Sequence, residues 1–72
     1  MEHSRREALK AMRAELEADA EELRAEQERL ERAQDHSALR IHAEHLRQHY
    51  KNAEAFRVAL EAFHHKFGPL GE

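Results

Sequence analysis

Three histidines, His42, His45 and His49, stand at spacings of three and four in the stretch IHAEHLRQHY. On a helix turning ~100° per residue they fall within an arc of about 60° and look the same way. A pair at i, i+4 such as His45 and His49 can clamp one zinc or other divalent transition-metal ion, because the imidazoles project from successive turns. His42 lies about 10 Å along the axis from His49, so one ion would not take all three, and His42 is expected as a supporting ligand beside His45 and His49. A working site needs a donor from a second helix. If the chain folds back on itself, Glu26 supplies it, with Glu22 and Gln27 nearby. The simpler alternative makes His42 and His49 polar residues of a helical seam, hydrogen-bonded to Glu26 or Gln27 and fixing its register. Either way, protonation of seam histidines would insert charge, which adds a pH-gated assembly to the options.

A second candidate is Glu61-Ala62-Phe63-His64, formally an E-x-x-H element of the kind that holds metal in di-iron bundles. Such a site wants a facing glutamate, and the facing segment Arg6 to Lys10 offers only Glu7. A di-metal oxidase-like bundle would therefore have to draw a second element from a second copy. His64, His65 and Lys66 also lie where a last helical turn is expected, and positive charge there complements the helix dipole.

Other chemistry is poorly supplied. The chain has no cysteine, which excludes disulfides, thiolate zinc sites and thiol catalysis. There is no Gly-rich phosphate loop and no Ser/His/Asp arrangement on loops, so no enzyme class is indicated. Leu9, Leu16, Leu23 and Leu30 have the spacing of a leucine zipper. However, Arg5, Arg6, Lys10 and Arg13 interleaved with Glu7 are too sparse for a basic region. The net charge of −3 likewise argues against nucleic acid. No run of 18 apolar residues is present to span a bilayer and no signal-peptide core follows Met1, so a cytoplasmic protein without membrane contact is expected.

The elements that must position these residues are helices. Charged residues make up 38% of the 72 residues and the mean hydropathy is −1.00, values that suggest disorder unless the apolar residues are ordered. They are ordered into heptads. Glycine and proline are confined to Gly68, Pro69 and Gly71, and strong helix formers fill the rest. Ser4-Arg5-Arg6-Glu7 matches an S-x-x-E capping box, which starts a first helix at about residue 5. Phe67-Gly68-Pro69 ends the last helix at about residue 67.

Between those ends the heptad frame decides the topology. Leu9, Leu16, Leu23 and Leu30, with Met12 filling the stripe, would continue to Ser37. Instead the second stripe runs Leu39, His42, Leu46, His49, Ala53, Phe56, Leu60, Phe63, Phe67, displaced by two residues. In one continuous helix that displacement rotates the stripe by about 200°, so the two stripes could not share a partner. The spacing predicts an all-α antiparallel hairpin with helices over about 5–33 and 37–67, a break at 34–36, and Asp35 or Ser37 as cap. Opposed residues then sum to about 71: Leu9 faces Phe63, Leu23 faces His49, and Glu26 faces His45.

The expected organisation is a single helical-hairpin domain over 1–72 with a flexible tail at 68–72. Two stripes cover one another only partly, and Phe56, Phe63 and Phe67 would leave a large apolar patch. A homodimer closing an antiparallel four-helix bundle resolves this. Its contacts would be Leu9, Met12, Leu16, Leu23, Leu30, Leu39, Leu46, Phe56, Leu60, Phe63 and Phe67. The function this implies is a small non-enzymatic interaction protein that self-associates through its stripes and binds another protein. The alternative is a transition-metal-binding bundle using His42, His45, His49 and Glu26.

Overall fold

A computed structural model describes residues 1–71. It consists of two α-helices of 32 residues each, α1 (Glu2–Ala33) and α2 (His36–Phe67), laid antiparallel. The expected all-α hairpin is what the chain forms, and no strand occurs among the described residues. At ~1.5 Å per residue each helix is about 48 Å long, and the molecule's longest extent is 47 Å. The molecule is therefore one helix long and two helices wide.

The turn is built by backbone geometry and one side chain. Gln34 adopts the left-handed conformation, φ 54° and ψ 37°. Its N–H donates to the Glu31 carbonyl at 3.1 Å, and the Asp35 N–H donates to the Leu30 carbonyl at 3.1 Å. These two bonds are the Schellman pattern, with glutamine in the position that glycine usually fills. Asp35 then caps α2, its Oδ1 accepting from the Ala38 N–H at 3.1 Å. Asp35, of the two expected candidates, is the one that caps; Ser37 lies inside the helix.

The start of α1 differs from expectation. Ser4 is not a cap: the helix begins at Glu2, its N-cap is Met1 with no side-chain bond, and the Arg5 N–H reaches the Met1 carbonyl at 3.1 Å. Continuing the helix gives further amides backbone partners, whereas a Ser4 cap would satisfy one. Glu2 also gains an i, i+4 pair with Arg6 at 2.9 Å.

At the other end, Gly68 stops α2. Its N–H donates to the His64 carbonyl at 2.8 Å, and its φ of 89° with ψ −168° is a conformation only glycine adopts readily. The segment expected as a flexible tail then returns to the hairpin over residues 68–71; Glu72, its last residue, lies outside the described residues. Leu70 is only 4% exposed and joins Leu9 and Phe63 as the buried apolar core, with Phe56, Leu60 and Phe67 packed around it. The facing of Leu9 and Phe63 is as the heptad arithmetic predicts.

Candidate functional site

The seam between the helices changes character along its length, and the histidine face lies in the half nearer the turn. His42 is buried, 3% exposed, as a seam position should be. Neither of its ring nitrogens has a hydrogen-bond partner, so the expected bond to Glu26 or Gln27 is absent. Glu26 instead pairs with Arg29 on its own helix, and Gln27 donates to Glu31 at 3.4 Å. These i, i+3 and i, i+4 partners are within reach without crossing the seam. An unpartnered buried polar group costs about 1–3 kcal/mol, so His42 weakens the packing where it sits.

His49 has the partner that His42 lacks, and it is not the expected one. Its Nδ1 lies 2.7 Å from Asp19 Oδ2, with side-chain exposures of 11% and 48%. This polar side-chain bond joins α1 to α2. Asp19 sits one turn from Leu23, the residue the arithmetic sets opposite His49, so the frame is right and the bond falls to the carboxylate on the adjacent turn. Sequence reasoning missed Asp19 because it counted facing positions and not reach; its place four residues before Leu23 was the available signal.

His45 departs further. It is exposed, so the three histidines do not all look into the seam. It lies on the rim of a cleft of about 350 Å³ shared with Asp19, Glu22, Glu26 and His42. Among the described residues, no group of three or more histidine, aspartate or glutamate side chains is placed to hold a metal ion. Of the candidate donors, Asp19 and His49 are engaged with each other and Glu26 with Arg29. The E-x-x-H element is also divided, since Glu61 pairs with Arg57. On that outer face Glu54 and Arg57 form a further pair. The hydrogen bond from Arg57, ahead of its charge, holds the Glu54 carboxyl below the usual range, and Arg57 is pushed up in return.

Of the stripe residues expected to mediate self-association, Leu9 and Phe63 are buried within the hairpin and the others are only partly covered or exposed. Leu16, Leu23, Leu30, Leu39, Leu46, Phe56, Leu60 and Phe67 are half-buried and Met12 is exposed. Beyond them Ile41, Tyr50 and Val58 are exposed outright.

The other end of the seam holds a contact that sequence reasoning did not find. Arg6 Nη1 donates to the Pro69 carbonyl at 3.0 Å and also to that of Leu70. The guanidinium carbon stands 4.9 Å from the centre of the Phe63 ring, and Glu2 holds Nη2 at 2.9 Å. Ordering the four residues 68–71 costs roughly 4–8 kcal/mol of backbone entropy at about 1–2 per residue. Burying a leucine returns about 1.5–3 kcal/mol, and each bond from a charged donor about 1.5–3. The two sides agree to within a few kcal/mol, so the clasp is marginally held. A lone leucine after a Gly-Pro break has no periodicity to reveal it.

No protein-family model matches the chain, and no characterised protein or solved structure is significantly similar to it.

Proposed function

We propose that this chain is a non-enzymatic interaction module, a helical hairpin that self-associates through its apolar stripes into a four-helix bundle and offers its outer face to another protein. The observation that carries this reading is the surface left uncovered. A compact protein of 8.5 kDa exposes about 4,700 Å², whereas this chain exposes 5605 Å². The difference, about 900 Å², is close to the ~800 Å² that each partner buries in an interface of standard size. The radius of gyration of 15.7 Å likewise exceeds the ~11 Å of a compact chain of this length. A second copy presents the same stripe of half-buried leucines and phenylalanines, and burying the two together supplies the core that one hairpin lacks.

Sedimentation equilibrium at micromolar concentration tests this. A dimer is expected, and Leu46→Asp, which puts a charge into the stripe, is expected to dissociate it. A wild-type monomer at high micromolar concentration overturns the reading.

The unpartnered nitrogens of His42 favour a second reading, transition-metal binding by His42 and His45 with Glu26 turned from Arg29, and His49 in support if released from Asp19. Zinc or cobalt would then raise the melting temperature of the chain, and His42→Ala would abolish the rise. No response to any divalent ion removes this reading and leaves the first intact.

A further inference from the structure

One of the three apolar residues that form the buried core, Leu70, comes from outside both helices. Its seat is the aromatic end of the hairpin, over Leu9 and Phe63, with Leu60 and Phe67 packed around. The seat is closed from above by Arg6, whose guanidinium spans the Phe63 ring and the two carbonyls of Pro69 and Leu70. Nothing at the turn or along the histidine seam depends on this contact.

Three further features bear on what the segment does. The surface it covers is continuous with the stripe through Phe56, so a second copy lying along the stripe would reach the same place. A neighbouring groove of about 370 Å³ is lined by Leu9, Phe63 and Phe67 with three alanines, and also by the cations Arg5 and Lys66. Small residues there admit the backbone of a second helix closely, and Leu70 does not fill the groove. Finally, the hinge is unencumbered: Gly68 has nothing within 4 Å of the position a Cβ would take. Withdrawing the segment breaks the Arg6 bonds and the Leu70 contacts, and its attachment is near balance.

We propose that residues 68–70 are an internal competitor for the self-association surface, a strap that covers the aromatic end against a second copy of the chain. With Leu70 seated, copies meet along the middle of the stripe. With Leu70 withdrawn, Leu9, Phe63 and Phe67 join the interface and the four-helix bundle extends to its open end. This rests on the self-association reading above, and it adds that the strength of association is set by the strap.

The test compares the full-length chain with Leu70→Ser and with Arg6→Gln, measuring the dimer dissociation constant by sedimentation and helicity by circular dichroism. Both variants are expected to dimerise about tenfold more tightly, the equivalent of ~1.4 kcal/mol shared between the competing contacts of the two chains. In the wild type, nuclear Overhauser contacts between the Leu70 methyls and the Phe63 ring are expected in the dilute monomer and are expected to weaken in the dimer. Where Leu70→Ser loses helicity, Arg6→Gln, which leaves the leucine in place, carries the comparison. An unchanged or weaker dimer in the folded variants overturns the strap while self-association stands. Monomers throughout, for wild type and variants alike, overturn both.

Discussion

At the open end of the hairpin Leu9, Phe63 and Leu70 close an apolar seat beneath the Arg6 guanidinium. Towards the turn the same seam buries His42 with both nitrogens unpaired and opens into a cleft walled by acids. Apolar contact needs no direction, so the open end tolerates a contribution from a third segment and gains adhesion from it. Polar contact is directional, and two turns of helix separate the satisfied His49 from the unsatisfied His42. The seam is therefore uneven: cohesion is concentrated where the aromatics are, and the histidine half contributes register more than strength.

The largest effect should come from the apolar end. Phe63→Ala is expected to cost about 3–5 kcal/mol, comparable to the whole stability of a chain this small, so helicity should collapse in dilute solution. A cooperative melt close to wild type would break the contrast. His42→Leu should act in the opposite direction, raising the urea midpoint by the equivalent of about 2 kcal/mol, because the unsatisfied nitrogens are replaced by apolar atoms. A lowered midpoint would mean that the imidazole has a partner in solution.

A double-mutant cycle with Asp19→Asn and His49→Gln should give a coupling of about 1 kcal/mol, and zero coupling would remove the polar link from the seam. At the turn, Gln34→Gly relieves a left-handed conformation that costs an L-residue about 1 kcal/mol, so the melting temperature should rise. The smallest effect belongs to the outer face. Glu54 ionises more readily in the folded chain than in the unfolded one, chiefly through its bond from Arg57. The pair thus favours folding above the ordinary carboxylate range, and that support is lost as pH falls through the lower folded value. Arg57→Gln should return the NMR titration midpoint of Glu54 upward with little change in melting, since both groups are exposed.

The fold was legible because the two heptad frames disagree by two residues, and the break that this forces is where the chain turns. Asp35 was legible as a cap because its carboxylate suits free amides at a helix start. The left-handed residue itself was hidden, since a glutamine occupies it and no glycine marks the spot. Ser4 misled because its motif is local, while the gain of continuing the helix through Glu2 depends on Arg6. In the candidate site, His42 was correctly placed in the seam by its d-type position. Heptad position says nothing of partners, however, so Glu26 was expected where Arg29 had already taken it. Asp19 and Leu70 escaped for different reasons: Asp19 stands on the α1 stripe, seven residues after Met12, but as an acid among leucines it was not read as part of it, whereas Leu70 follows the helix stop and no periodic pattern selects it.

The turn at Gln34 and Asp35 also has a kinetic side. Its bonds close between residues at most five apart, so they form early, and each further seam contact closes a loop only slightly longer than the last. Assembly then runs outward from the turn like a fastener, through His42 and Asp19, and reaches Arg6 and Leu70 after every other contact is made. Gln34→Gly should accordingly quicken folding more than it slows unfolding, whereas removing Leu70 should leave the folding rate unchanged and hasten only the opening.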